Sequence, residues 1–195
     1  MQNSQIFTRG SGLLEGFLSR QRTKRANSLI NKDYRKGRIL DIGCGFYPYF
    51  LTSTDFNEKY GIDPALFDSK ISDINLQKLD ITRQKLPFSN SFFDTVTMLA
   101  VFEHIETEKL DFVLSEIKRV LKDRGELIIT TPAPWADKLL HAMALTGLIS
   151  KVEIHDHKHS LKKDSIEKIF TKKGFKNVRS GFFELGFNMW FKIVK

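Results

Sequence analysis

The sequence has few of the features that mark secreted or membrane proteins. Its 195 residues contain one cysteine, Cys44, which excludes an internal disulfide and any metal site built from several cysteines. No stretch reaches the roughly 18 apolar residues of a membrane span. The N-terminus lacks a basic segment followed by an apolar core, so it is a poor signal peptide. We expect a cytoplasmic protein.

Acidic residues are outnumbered, and the formal net charge is +8. Part of the excess lies in RQRTKR, residues 20–25, and part in a lysine-rich stretch over residues 151–179. Basic patches bind nucleic acid, anionic lipid or phosphorylated ligands, and they also occur as plain solvated surface. Hydrophobic residues make up 41% of the chain, a balance typical of one globular domain.

Short apolar runs alternate with segments long enough to form helices. Apolar residues in 109–122 recur at the spacing of one helix face, and Gly125 follows shortly afterwards. Alternation of this kind predicts an α/β fold with a doubly wound, largely parallel sheet. The five predicted strands are residues 37–43, 58–63, 76–81, 93–99 and 125–131.

The tail of the chain has a different pattern. A helix is predicted over residues 165–175, and two strand-like segments, 176–185 and 187–195, follow with only Gly186 between them. A link this short joins only antiparallel strands. We therefore predict seven strands in total, mostly parallel, with an antiparallel C-terminal hairpin.

The loop LDIGCGFYP, residues 40–48, follows the first predicted strand. Gly43 and Gly45 allow a ligand to approach the backbone closely. Pro48 stands where a dinucleotide fingerprint has its third glycine, and a phosphate-loop lysine is absent. Cys44 is interpreted as a small buried hydrophobic residue within this loop.

Three carboxylates end neighbouring strands of the predicted sheet: Asp41, Asp63 and Asp80. Asp63 lies 18 residues beyond Gly45, where a carboxylate can accept both hydroxyls of a ribose. Asp80 is placed to accept from an exocyclic amine, with Ile81 covering the base. The alternative is that Asp63 caps a helix and Asp80 caps a turn. An acidic edge repels phosphate and suits a cationic ligand that carries ribose.

These motifs, taken in order, resemble class I S-adenosylmethionine-dependent methyltransferases, and more narrowly the group that includes ubiquinone and menaquinone pathway methyltransferases. The resemblance covers roughly residues 25–195 and implies a Rossmann-like fold. The matching stretches are LDIGCGFYP, YGIDP, LDIT, LPFSNSFFDTVTMLAVFEHI and VLKDRGELIITTPAP.

The resemblance implies S-adenosylmethionine as cofactor and S-adenosylhomocysteine as product. It assigns the methionine moiety to the loop at Asp41–Gly45, the ribose to Asp63, and adenine to Asp80 and Ile81. Leu99 and Ala100 would line the pocket. The predicted cofactor-binding residues are Asp41, Gly43, Cys44, Gly45, Asp63, Asp80, Ile81, Leu99 and Ala100. Tyr47 stands where the family often has a third glycine.

Catalytic groups are sought near the methyl end of the donor. Glu103 and His104 follow the fourth strand, and the segment HDHKH supplies His155, His157 and His159. Histidine is the side chain best suited to act as a base near neutral pH. Some relatives bind a metal through Glu-x-x-Glu-His, but Ala100 stands at the first glutamate position, so no metal is predicted by that route. The histidine segment is alternatively a solvated loop or a metal site.

One domain over residues 1–195 is expected, and its acceptor is a small, amphiphilic or anionic molecule. Contact with a membrane surface is open, and nucleic acid is a less favoured partner. The alternatives are nucleic-acid methylation and a non-catalytic, donor-binding regulatory role. Neither the acceptor's identity nor the oligomeric state follows from the residues. The expected parts are an N-terminal helical cap at 1–36, a donor-binding core at 37–131, an acceptor-side insertion at 132–160, and a last helix with hairpin at 161–195. The apolar residues of the insertion are Trp135, Leu139, Leu140, Met143 and Leu148.

Overall fold

A computed structural model of the chain describes residues 15–66, 71, 73–136, 158 and 161–195. Apolar runs bounded by glycines and turns form strands, and the 3.6-residue periodic segments form helices. The described strands are β1 Arg38–Ile42, β2 Glu58–Asp63, β3 Ile74–Lys78, β4 Phe93–Leu99, β5 Leu121–Pro132, β6 Lys176–Phe183 and β7 Asn188–Val194. The described α-helices are α1 Glu15–Leu29, α2 Tyr49–Thr52, α3 Thr107–Val120 and α4 Lys163–Lys172.

All seven strands form one sheet in the order β3-β2-β1-β4-β5-β7-β6. The pairs β1–β2, β1–β4, β2–β3 and β4–β5 are parallel, whereas β7 runs antiparallel to both β5 and β6. The predicted fold, a mostly parallel sheet closed by an antiparallel hairpin, is confirmed. Gly186 lies in the short 3₁₀ turn Glu184–Gly186 that joins the last two strands.

The sheet separates two apolar layers. On one face α3 and α4 pack over the central strands, with Phe102, Phe170 and Phe191 fully buried between them. The other face carries α1 and α2, which cover Ile39 and Ile128. α3 packs because its apolar residues share one face; the buried ones are Leu110, Val113, Leu114, Ile117 and Val120.

Among the element boundaries that differ from the predicted ones, those of β3 and β5 bear on the site and on the sheet. β3 ends at Lys78, so Asp80 lies two residues beyond the strand that it was expected to end. The reason is local: the Asp80 carboxylate accepts hydrogen bonds from Thr82, which turns the chain away from the sheet. β5 starts at Leu121, directly after α3, because residues 121–124 continue irregularly alongside β4.

Within the described residues, no helix is both long enough and apolar enough to cross a membrane. The predicted N-terminal helical stretch corresponds to α1. Of the predicted acceptor-side insertion, the structure describes residues 132–136, which include Trp135, and residue 158, whereas Leu139, Leu140, Met143 and Leu148 lie outside the described residues.

Candidate active site at the carboxyl edge of the sheet

A crevice is expected where neighbouring parallel strands lead to opposite sides of the sheet. In this order the chain leaves β1 towards β2 and leaves β4 towards β5, so the loops after β1 and β4 diverge. In open α/β sheets ligands bind at such a switch point, beyond the carboxyl ends of the strands. The residues predicted for donor binding lie at or just beyond the carboxyl ends of β1, β2, β3 and β4, and the fold therefore brings them to one edge.

Gly43 joins the two diverging loops by close packing. Its φ is +77°, a left-handed conformation that favours glycine. A Cβ atom at this position would lie 2.3 Å from Cγ2 of Val101, which follows β4. Gly43 is thus required by the contact between the loops, whatever it binds. Val101 was not singled out from the sequence, because a contact between two distant loops leaves no local pattern.

Asp63 fixes the loop that contains Gly45. Its carboxylate is fully buried and accepts the N–H of Gly45 at 3.0 Å and the N–H of Ala65 at 2.8 Å. Gly45 itself has φ +75°. A buried carboxylate that accepts backbone N–H groups is held in one orientation. The structure therefore brings Asp63 and the glycine loop together, as the predicted donor site requires.

Asp41 is anchored from the neighbouring strand. Its Oδ1 accepts a hydrogen bond from the Thr97 hydroxyl at 2.6 Å, and both side chains are buried. The two residues are register partners in the β1–β4 ladder, so their side chains share a face. Thr97 was missed by sequence reasoning. Its polarity within the apolar run of β4 was the available signal.

Cys44 is buried in the apolar core with 4% of its surface exposed. Its sulfur lies against Gly61, where a Cβ would come within 2.9 Å of it. This position agrees with the interpretation of Cys44 as a small buried residue. Any contact of Cys44 with the donor would have to come from its backbone.

Asp80 and Ile81 occupy a turn after β3. Ile81 is buried in the core, whereas about a third of the Asp80 side chain is exposed. Besides its bonds to Thr82, Asp80 lies 3.2 Å from Nε of Arg83. The turn-capping alternative for Asp80 is therefore observed. Its role towards adenine stays a prediction, and Ile81 contributes to packing below the turn.

The end of β4 places Leu99 and Ala100 beside the crevice. Ala100 has a left-handed φ of 56°, unusual for a residue other than glycine, and its N–H donates to the carbonyl of Thr130 at 2.9 Å. This bond extends the β4–β5 pairing by one residue and directs the following chain over the edge. Local strain of this kind is concentrated near functional sites.

Glu103 and His104 belong to the 3₁₀ turn Phe102–His104. Glu103 is buried and His104 is half-buried. The N–H of Lys158 donates to the carbonyl of Glu103 at 2.9 Å. Because Lys158 is part of HDHKH, this bond shows that the histidine-rich segment meets the turn after β4 at that residue.

His155, His157 and His159 lie outside the described residues. Among the residues that the structure does describe, no group of three His, Cys, Asp or Glu side chains is suited to hold a metal ion. The described candidates for a base are therefore Glu103 and His104.

The described residues fit an S-adenosylmethionine molecule. Asp63 is a carboxylate fixed next to the glycine loop, which is the chemistry that ribose hydroxyls need. Asp41 adds a second buried carboxylate to the same edge, which favours a cationic ligand, whereas Asp80 is paired with Arg83. The ligand supplies a methyl group on a positively charged sulfur. The tasks left to the chain are to hold it, align the acceptor and exclude water.

Fold and site together define a methyltransferase of class I. The family model described as "Methyltransferase domain" matches residues 14–180. The chain belongs to this family, and the predicted class, an S-adenosylmethionine-dependent methyltransferase, is confirmed.

Two curated proteins are similar to this chain over part of its length. An uncharacterized protein of Methanocaldococcus jannaschii is 36% identical over 105 residues, which cover 52% of this chain and 45% of that protein. A sterol 4-C-methyltransferase of Caenorhabditis elegans is 33% identical over 100 residues, 46% of this chain and 29% of that protein. The chain thus spans less than half the length of these curated relatives.

A solved S-adenosylmethionine-dependent methyltransferase from Mesorhizobium loti has the same fold. It superposes with a TM-score of 0.67 at 14% identity, over 88% of this chain and 96% of that one.

Proposed function

We propose that this chain transfers a methyl group from S-adenosylmethionine to a small amphiphilic acceptor. The observation that carries the acceptor class is a surface at the carboxyl edge, next to β5, β6 and β7. It combines the exposed apolar side chains of Trp135 and Leu185 with the cations of Arg22 and Arg25. We call these four residues the tail rim.

The apolar half of the tail rim is held by the turn between β6 and β7. Leu185 is 96% exposed and has a left-handed φ of 56°. Trp135 is 55% exposed, and its ring lies 4.7 Å from that of Phe187. A leucine held in a strained conformation with its side chain in solvent costs free energy, and features of this kind are concentrated at functional surfaces.

The cationic half comes from α1. The Arg25 guanidinium lies 5.7 Å from the ring centre of Phe183 and 5.9 Å from that of Trp190. Burial raises the pKa of the Glu184 carboxyl, while its hydrogen bond with Asn188 and the charge of Arg22 act in the opposite direction. Apolar and cationic groups side by side suit an acceptor with an apolar body and an anionic head.

The proposed division of labour follows the sheet. Asp41, Gly43, Gly45 and Asp63 hold the donor over β1 and β2, and the tail rim receives the acceptor beyond β5 and β7. His104 accepts the proton when the acceptor atom is oxygen or nitrogen, and Glu103, in the same 3₁₀ turn, is the second candidate for this role. The resemblance to quinone-pathway enzymes and the sterol-methylating activity in the name of one relative support an apolar acceptor.

The proposal is tested by incubating the protein with a cell extract and S-adenosylmethionine that carries a labelled methyl group. We expect the labelled product to partition into the organic phase after extraction. L185E should lower the labelled yield by roughly tenfold, because a charge replaces the exposed apolar contact, and should leave affinity for S-adenosylhomocysteine unchanged. The matched control is Asp55→Asn, an exposed residue far along the chain from the tail rim.

Other outcomes separate the alternatives. A labelled product that is destroyed by ribonuclease would replace this proposal with nucleic-acid methylation. Donor binding with no labelled product from any extract would favour the non-catalytic, regulatory role. An amphiphilic product that forms equally well with L185E would remove the tail rim from the acceptor site.

A further inference from the structure

A basic cleft lies at the amino edge of the sheet, opposite the donor site. It is formed where β5 and β6 begin and β7 ends, and its volume is about 380 Å³. The side chains that matter to its chemistry are Tyr34, Arg124, Glu126, Lys176, Lys192 and Lys195. We call it the amino-edge cleft.

Two strand irregularities open this cleft. The β4–β5 register shifts between Phe93 and Thr95, and the β6–β7 register shifts between Lys176 and Arg179. Both shifts fall at the same end of the sheet, on either side of the last residues of β7. Bulges of this type redirect side chains and separate strands.

Each irregularity holds a residue other than glycine in the left-handed region. Arg124 has φ 65° and Asn177 has φ 48°, and both residues line the cleft. The hydroxyl of Tyr34 donates to the carbonyl of Arg124 at 2.7 Å, which fixes the turn. Asparagine tolerates this conformation, but arginine is rarely found in it. Arg124 therefore places its guanidinium at the mouth of the cleft, although glycine would adopt this turn with less strain.

The one acidic side chain in the lining is already engaged. Glu126 is 1% exposed; its Oε1 accepts the N–H of Asn31 at 2.8 Å, and its Oε2 lies 2.8 Å from Nζ of Lys192. Lys192 also donates to the carbonyl of Leu29. The Glu126–Lys192 pair therefore ties α1 and β7 to β5 and contributes no net charge to the cleft.

The remaining cations give the cleft a positive surplus. The side chains of Arg124 and Lys176 are exposed and make no hydrogen bond or ion pair with any described residue. Nζ of Lys195 donates to the carbonyl of Leu121 at 2.7 Å and lies 3.5 Å from the highly exposed Asp123. Arg124 and Lys176 therefore carry positive charge that no described carboxylate pairs with, and cations that converge on a concave surface attract compact anions.

We propose that the amino-edge cleft binds a small phosphorylated molecule, with Arg124, Lys176 and Lys195 as the phosphate contacts. Arginine binds phosphate through paired N–H groups, and lysine binds it as a point charge. The size and concavity of the cleft favour a small molecule over an extended backbone. None of the large apolar side chains that are exposed in the described part of the chain lines the cleft, which argues against insertion into a membrane.

The test is calorimetric titration of the full chain with inorganic pyrophosphate at low ionic strength. The double variant Arg124→Asn with Lys176→Gln removes two exposed cations, and asparagine retains the left-handed turn. Affinity for pyrophosphate should fall by at least about tenfold, as expected for the loss of two charge-assisted contacts.

The matched control is Arg20→Gln with Lys109→Gln, which removes the same charge from exposed positions near the start of α1 and of α3, outside the cleft lining. It should leave pyrophosphate affinity within about twofold, because charges that do not contact the phosphate act on it only weakly through the high dielectric of water. Equal weakening in both double variants would show a general charge effect and overturn the site. Absence of heat from pyrophosphate at millimolar concentration would also overturn it.

Two further titrations identify the source of the phosphate. Vesicles that contain phosphatidic acid and a short single-stranded RNA are each tested with and without competing pyrophosphate. The small-molecule assignment is overturned if either binds through Arg124 and Lys176 and pyrophosphate does not displace it. Affinity for S-adenosylhomocysteine should be the same in all variants, so failure of this inference leaves the proposed methyl transfer intact.

Discussion

The two edges of the sheet are stabilised by different means. At the amino edge, side chains of opposite charge hold the elements together, as in the pairs Asp94–Lys122 and Glu126–Lys192, both at 2.8 Å. At the carboxyl edge, the glycine loop is held by tight backbone packing and by a carboxylate bound to backbone N–H groups, as in Gly43 and Asp63.

The difference explains how one sheet can present opposite charges to solvent. At the amino edge, carboxylates such as Glu126 are paired with lysines, and further cations remain exposed. This edge therefore attracts anions. Backbone contacts at the carboxyl edge position carboxylates such as Asp63 without the need for a lysine beside them, which favours a cationic donor. Each edge can therefore be disturbed by a substitution that leaves the other unchanged.

The largest effect is expected for Gly43→Ala. The new Cβ would overlap Val101 and hold alanine at φ +77°. The combined clash and strain should lower the free energy of unfolding by roughly 2–5 kcal/mol. Denaturant unfolding followed by circular dichroism measures the loss, and binding of S-adenosylhomocysteine should be lost with it.

Gly174→Ala is the control for the backbone part of this effect. Gly174 has φ +72°, but a Cβ there would meet only the flexible end of Lys118, at 2.9 Å. It should lower the free energy of unfolding by about 1 kcal/mol. Equal losses for the two variants would mean that the contact between Gly43 and Val101 does not matter.

A smaller, pH-dependent effect is expected for Glu116→Gln at the amino edge. Arg119 pairs with Glu116 at 2.8 Å and donates to the carbonyls of Leu86 and Phe88, which holds the loop before β4. Its hydrogen bond holds the pKa of the buried Glu116 carboxyl below the ordinary 4.5. The variant should lose roughly 2 kcal/mol at pH 7, since one charged partner is removed.

The sign of the pH dependence follows from the lowered pKa. The stabilisation by Glu116 is complete above the unfolded pKa of about 4.5 and disappears as the pH falls through the lower folded value. The difference between wild type and Glu116→Gln should therefore shrink below about pH 4. The loss caused by Gly43→Ala should not change over the same range. A constant difference for both variants would contradict the contrast between the edges.

Much of the fold could be predicted from local pattern. The strands at 58–63 and 93–99 were predicted at the residues where they are observed. The antiparallel tail followed from the shortness of the link at Gly186. These features depend on neighbouring residues, and a single sequence contains that information.

Contacts between distant segments could not be predicted in the same way. The packing of Val101 on Gly43 and the hydrogen bond between Thr97 and Asp41 depend on strand register. The left-handed positions at Arg124 and Asn177 are not occupied by glycine, so the residue type does not signal them. The amino-edge cleft could therefore not be predicted from the sequence, where Lys176 was only one member of the lysine-rich stretch over residues 151–179.

The most direct test of the account is the binding of S-adenosylhomocysteine to Asp63→Asn, with Asp55→Asn as a control that removes an exposed carboxylate of equal charge. Circular dichroism establishes that both variants fold. The account predicts that Asp63→Asn weakens binding by at least about tenfold, because a buried charged acceptor is lost, while Asp55→Asn binds as the wild type does. Unchanged affinity in a folded Asp63→Asn variant would contradict the assignment of the carboxyl edge as the donor site.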